Sequence, residues 1–253
     1  MTDYLLLRLY GALASWGEQA VGEVRHTAAQ PSRSALLGLL AAALGVERQD
    51  DLGQQALADG YRFAVYLDGV GSPLRDYHTV QSGVPDRKTR FRTRRQELAA
   101  DKLSTIVSSR EYRCDMHAVV AVQALDKSPY SLTELAQALR QPHFVLYLGR
   151  KSCPLALPPA PQLVRAATLK EAFAQVRWPS LSGLTGHHRD NPWPDALDRR
   201  AFGVTDARLF WEDGMEPGEQ PSYEHIRHDQ PISRRRWQYA PRREWVRLPG
   251  EDA

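Results

Sequence analysis

The sequence predicts an α+β fold, on three observations. Apolar runs of strand length alternate with capped helical patterns in the order β, α, β, insertion, β, α, β. A strongly basic polar stretch falls between the second and third strands, and proline-rich chain follows the last one. This order is the ferredoxin-like arrangement, also used by RNA-recognition modules. It places a ferredoxin-like domain at residues 1–155, with a hairpin or thumb inserted at about 75–112, and leaves 156–253 as a smaller, less regular C-terminal part.

"YLLLRLYG" (4–11) is too short and too apolar for a surface helix and reads as a buried central strand ending at a glycine. In "PSRSALLGLLAAALG" a serine precedes an alanine- and leucine-rich run that stops at Gly45, so a capped helix opens near Ser32 or Ser34. "YRFAVYLDG" (61–69) alternates aromatic and apolar residues and ends in Asp-Gly: a second strand and a turn. "CDMHAVVAVQAL" (114–125) is the third strand, and "SLTELAQALR" (131–140) is a helix whose Ser131 is answered by Glu134 in a capping box. "FVLYLG" (144–149) supplies the fourth strand. "CPLALPPAP" is too rich in proline for helix or central strand and reads as a connector, with "LKEAFAQV" a helix beyond it.

With 42% hydrophobic and 25% charged residues, and no run near the roughly 18 apolar residues of a membrane span, the 253-residue chain reads as a soluble protein. No basic start precedes an apolar block, so a cytoplasmic location is expected. Cys114 and Cys153 are too few for a disulfide framework and lack zinc spacing; both are expected to be reduced and structural. His187 with His188, and His225 with His228, have no third ligand in a recognisable pattern, and no P-loop, nucleophile elbow or dinucleotide fingerprint occurs. No metal and no cofactor are expected.

The net charge is only +3, so what matters is where the arginines cluster. "DRKTRFRTRRQ" (86–96) carries Arg87, Lys88, Arg90, Arg92, Arg94 and Arg95; in an extended arm Arg90, Arg92 and Arg94 share a face. It is either a nucleic-acid contact or a solvated loop. "LRDYHTV" and "SSREYRCD" each set arginine beside tyrosine, the side chains on which unstacked bases pack. Alternatively, Tyr77 and Tyr112 are cross-strand neighbours at the base of the insertion. Ser32, Arg33 and Ser34 stand at a helix start, where backbone N–H groups favour an anion; the serines also suffice as caps. "SRRRWQYAPRREWVRL" mixes arginines with Trp237, Tyr239 and Trp245 and is a protein contact or a second RNA contact. In "LYLGRKSCPL", Arg150, Lys151 and Ser152 follow a glycine turn and read as an anion-binding loop, with Cys153 a packing residue. His78 beside Tyr77, or His26 beside Arg25, has the chemistry to deprotonate a ribose hydroxyl, but a lone histidine in a basic loop reads equally as a binding residue.

"YLLLRLYGALASWG", "PSRSALLGLLAAALG", "LRDYHTV", "REYRCD" and above all "YLGRKSCPL" resemble, in that order, motifs of the CasD family of type I-E CRISPR Cascade subunits, a branch of the RAMP superfamily. "RHDQPIS" and "RREWV" resemble its C-terminal region more weakly. The resemblance implies a non-catalytic RNA-binding and assembly subunit that grips the 5′ handle of CRISPR RNA and caps the backbone filament in antiviral defence. It implies as partners the CRISPR RNA, the CasC backbone subunits, the CasA large subunit and target DNA near the protospacer-adjacent motif, while a separate subunit, CasE, cuts the precursor. The RNA-binding residues it implies are Ser32, Arg33, Ser34, Tyr77, His78, Arg110, Tyr112, Tyr147, Arg150, Lys151 and Ser152, and Arg25 is counted with them; Arg87, Lys88, Arg90, Arg92, Arg94 and Arg95 are expected as thumb contacts from the basic arm, which is unusually arginine-rich for the family. Ala35 stands where the family often has glycine, and residues from about 160 to 220 match none of its motifs. The alternative is a metal-independent endoribonuclease acting on CRISPR repeat RNA, as in CRISPR types lacking CasE. A third reading is a module using the basic arm on target DNA.

Overall fold

The computed structural model describes residues 1–18, 20, 22–84, 90–178 and 207–250. Its strands are β1 (Thr2–Ala14), β2 (Trp16–Gly17), β3 (Val24–Arg25), β4 (Thr27–Ala28), β5 (Tyr61–Gly69), β6 (Ser72–Gly83), β7 (Leu103–Ala124), β8 (Gln162–Ala166), β9 (Arg208–Glu212), β10 (Tyr223–Ser233) and β11 (Gln238–Arg247). The helices are α1 (Arg33–Leu44), α2 (Asp51–Gly60), α3 (Arg94–Leu98), α4 (Leu132–Arg140) and α5 (Leu169–Gln175). Among the described residues, nine strands form one mixed but mainly antiparallel sheet, with the path β10-β11-β9-β5-β7-β1-β8 and β3 and β6 joined to β7.

The centre of the sheet is apolar on both faces, as the uninterrupted leucines of β1 require. Leu5, Leu7 and Leu9 join Val120, Val122 and the inner residues of α1, α2 and α4. Tyr4 and Leu6 face the other way, onto Ala121, Trp211 and the α5 residues Leu169 and Ala172. Burying each leucine contributes roughly 1.5–3 kcal/mol. Helix α1 starts at the Ser32 cap and stops at Gly45, whose φ of 81° is the left-handed conformation of a C-terminal glycine. Helix α4 has the expected Ser131/Glu134 capping box.

Three sequence expectations give way. Residues 144–149 are not a strand: Leu146 and Leu148 are buried and Tyr147 exposed, so the alternation is real, but the chain folds back at once. Leu148 N–H donates to the Cys153 carbonyl and Cys153 N–H to that of Arg150. The edge of β1 goes instead to the proline connector, whose Pro159 carbonyl accepts from Arg8 N–H, and then to β8, which pairs with β1 from Thr2 to Leu6. Beyond residue 155 the chain is also more regular than expected. β9 adds to β5, β11 to β9 and β10 to β11, continuing the same sheet. Helix α2, unanticipated because its apolar face is short, lies between α1 and β5.

The insertion is a hairpin. β6 and the outer half of β7 pair without a break from Ser72↔Cys114 to Gly83↔Leu103. A register shift at Leu67/Gly69 and the positive φ of Gly71 and Asp115 mark where this ribbon leaves the core. The basic arm at its tip is not extended throughout: Arg94 and Arg95 open α3, capped by Thr93, so Arg90, Arg92 and Arg94 do not line one face of a strand. Arg87 and Lys88 lie outside the described residues.

Candidate nucleic-acid interface

Arginine-rich segments far apart in sequence meet around one cleft of about 1050 Å³. Its walls are the first turns of α1 (Ser32, Ser34, Gly38) and the β10–β11 hairpin (His225, His228, Arg234, Trp237, Tyr239). Tyr147, Gly149 and Arg150 form a third side, with Arg25 beside them.

The Arg150 loop is held from below. Leu148 and Cys153 plug into the core next to Trp16. Gly149 has a φ of 84°, and a side chain there would collide with the Ser15 carbonyl. Burial pushes the Cys153 thiol up, which fits a packing role. Arg150 leans over the Tyr112 ring, 4.9 Å from its centroid, and donates from Nη2 to the Arg25 carbonyl at 3.3 Å. Its Nη1 has no hydrogen-bond partner. Lys151 and Ser152 are exposed and stand outside the cleft lining.

Strand register sorts the other predicted residues by face. Arg25 pairs with Arg110, and Asp76 lies opposite Arg110 on the far side of β7. Side chains alternate, so Arg25, His78, Arg110 and Tyr112 share one face of the ribbon, the face on which Arg150 covers Tyr112. Tyr77, 70% exposed, points to the opposite face. Tyr77 and Tyr112 are therefore not cross-strand neighbours: Ser109 faces Tyr77, and Leu74 faces Tyr112. Tyr112 is buried under Arg150, so it supports the site and offers no open ring. His78 Nε2 meets the Asp76 carboxylate. Along the opposite face Glu111 takes Arg75 at 2.9 Å and His26 at 3.2 Å.

The largest correction concerns Arg33. Only 5% exposed, it donates from Nη1 to Glu212 at 2.5 and 2.7 Å and from Nη2 to the carbonyls of Ala58 and Tyr61. Its backbone N–H, the group expected to meet a phosphate, donates to Asp229 Oδ2 at 2.7 Å. The protein's own carboxylate thus occupies the positive end of α1. Asp229 also takes Arg242 at 2.6 Å, while Glu244 takes Arg242 at 2.7 Å and Gln30 at 3.2 Å. Burial raises Asp229, but the hydrogen bonds and charge of Arg242, with Arg227 and Arg33 N–H, outweigh it and hold the carboxyl below its ordinary range. For Glu212 burial wins over Arg33 and Arg242, and the carboxyl is pushed up.

The C-terminal hairpin, which the sequence left between a protein contact and a second RNA contact, supplies cleft residues. Arg234 donates from Nη1 to the Ser34 carbonyl at 2.7 Å, and its Nη2 lies 2.6 Å from where a Gly38 side chain would start. No carboxylate approaches it within ion-pair distance among the described residues, and burial pulls its pKa down. The available signal was two strand-like segments around "RRRW", a hairpin with its cations at the turn. At the thumb tip Arg94 is taken up by Glu97 and the Gln81 carbonyl, whereas Arg90, Arg92 and Arg95 are exposed.

Among the described residues, no group of three metal-binding side chains occurs and no helix is long and apolar enough to cross a membrane. Residues 4–244 match the family described as CRISPR-associated protein (Cas_Cas5). The CRISPR system Cascade subunit CasD of Escherichia coli strain K12 is 34% identical over 212 residues, covering 76% of this chain and 89% of its own. A solved CRISPR RNA-guided surveillance complex contains a chain 28% identical, with a TM-score of 0.65 over 97% of this chain and 89% of that one. A crystal structure of a Cas protein aligns at 25% identity with a TM-score of 0.58, covering 97% and 94%.

Proposed function

The chain belongs to the CRISPR-associated protein family Cas_Cas5, and from that premise we propose that it is a non-catalytic subunit of a Cascade-type ribonucleoprotein complex that grips the 5′ handle of the guide RNA. The observation that carries the reading is the cleft itself: Arg25, Arg150 and Arg234 line it without a carboxylate partner among the described residues. A guanidinium left unneutralised at a cleft wall suits a phosphate, and the row Arg25–Arg110 continues the positive track onto the ribbon.

In this reading the four antiparallel strands β5-β7-β1-β8 are a ferredoxin-like core, the β6–β7 ribbon is a thumb, and Arg90, Arg92 and Arg95 meet nucleic acid near its tip. The sheet continued by β9, β10 and β11 closes the cleft and leaves outer surfaces for CasC- and CasA-type neighbours, with target DNA passing near the thumb. The non-catalytic reading is favoured by the separation of His78 from Tyr77, whose side chains leave opposite faces of the ribbon.

Replacing Arg150 and Lys151 together by alanine tests the assignment through guide RNA copurified with the complex. RNA recovery is expected to fall by about tenfold or more, since hydrogen bonds to charged groups contribute about 1.5–3 kcal/mol each, with the thermal midpoint unchanged. Undiminished recovery would refute the site. Incubating the chain with repeat RNA in the absence of CasE and metal tests the non-catalytic reading; cleavage at one position, lost in His78→Ala, overturns it.

A further inference from the structure

Trp237 ends the four-residue turn between β10 and β11 with a φ of 56°, a conformation that glycine or asparagine adopts at far less cost than a bulky side chain. Its indole is 64% exposed and stands at the cleft. The ring is nevertheless fixed: the Arg48 guanidinium lies 3.8 Å from its centroid, and Arg48 is itself anchored through Nε and Nη2 to the Arg234 carbonyl at 3.2 Å. An exposed tryptophan in a strained turn, pinned by a cation, does little for folding. An aromatic plane held beside the unneutralised guanidinium of Arg234 has what a nucleotide offers partners to: a π-face for the base and a cation for the phosphate.

We propose that Trp237, clamped by Arg48, is a stacking platform for one nucleobase of the bound single-stranded RNA, with Arg234 taking the adjoining phosphate. This rests on the RNA-binding reading above and adds the mode of recognition. One nucleotide position is selected by its π-face, so any base is accepted there, purines somewhat better than pyrimidines. Arg25, Arg150 and Arg234, the cleft-lining arginines outside the Arg227–Asp229 pairing, favour a polyanion over a neutral apolar segment of a protein partner.

The test uses the full chain and the 5′ segment of its cognate guide RNA, synthesised with a single abasic nucleotide at each position in turn. One abasic position is expected to weaken binding to the native chain by roughly five- to a hundredfold. Trp237→Ala should lose a similar factor on intact RNA and nothing further on that one abasic RNA, and Trp237→Phe should retain most of the affinity. Trp237→Gly, which relieves the turn, should hold or raise the thermal midpoint while binding RNA as weakly as Trp237→Ala, separating recognition from folding. Losses that multiply at every abasic position overturn the platform. So does undiminished RNA binding by Trp237→Ala while Arg150→Ala releases RNA, including the case where the tryptophan variant loses a protein subunit instead. If Arg150→Ala also leaves binding unchanged, the RNA-binding reading itself falls.

Discussion

Two sets of arginines stand within one helix of each other and are handled in opposite ways. Arg33, Arg227 and Arg242 meet Glu212, Asp229 and Glu244 in a buried cluster of three cations and three carboxylates that joins α1, β9, β10 and β11. Across the wall made by α1 and the hairpin, Arg150 and Arg234 receive ring faces and backbone carbonyls but no carboxylate among the described residues. The first cluster neutralises its own charges and serves as a joint; the second leaves its positive charge at the cleft wall. Proximity to a helix start or to aromatic residues does not separate the two sets. What does is whether an acidic residue arrives from elsewhere.

The strongest way to break this contrast is Arg33→Ala. Removing one partner leaves Glu212 buried and unpaired, and a loss of about 3–5 kcal/mol is expected in chemical denaturation. The paired change Arg33→Met with Glu212→Leu should recover most of it, because no charge is then stranded. Gly38→Ala probes the other set. A methyl there displaces the Arg234 guanidinium, while alanine is the better helix former by up to about 1 kcal/mol. RNA affinity should fall by about tenfold, within the range for a hydrogen bond to a charged group, with the denaturation midpoint unchanged or higher. A fall in both would mean that Arg234 is structural.

Titration sharpens the contrast further. Asp229, held below its ordinary value of 3.8, contributes stability that is complete above that value and is lost as pH falls through the lower folded pKa. Glu212, pushed above 4.5, has the opposite sign: its charged form costs stability, so acidification through its raised pKa adds some back. Urea midpoints followed against pH should therefore lose their steep acid fall in Asp229→Asn and their rise on mild acidification in Glu212→Gln. The smallest effect on folding belongs to the thumb tip. Replacing Arg90, Arg92 and Arg95 by alanine should change stability by no more than about 0.5 kcal/mol, yet reduce the slope of log affinity against log salt by about 2, from roughly 0.7 per phosphate contact.

Where a signal was local, it was readable. The Ser32 cap, the Gly45 stop, the Ser131/Glu134 box and the doubly buried β1 each depend on residues within a few positions of one another. The same holds for the turn at Gly149 and for Arg150 as a cleft residue. The fourth strand was misplaced because residues 144–149 alternate like a strand, while β8 is only five residues long with two of them exposed. Tyr77 and His78 were grouped as neighbours in sequence, but adjacent strand residues point to opposite faces. Trp237 and Arg234 stayed between a protein contact and an RNA contact because their setting depends on Arg48, Ser34 and Gly38, about two hundred residues away.

By itself, then, the sequence determined helices α1 and α4 with their caps, the central strands and the presence of a basic insertion, all of which follow from short-range periodicity and backbone chemistry. It also determined that an arginine stands at the helix start and that arginines are abundant in the ribbon and the C-terminal hairpin. Only the tertiary structure decided which of them remain available. Glu212 reaches Arg33 across 179 residues of chain and Asp229 reaches its N–H across 196. A guanidinium becomes a structural tie or stays open to the cleft according to what faces it, and the opposing group is supplied by the fold.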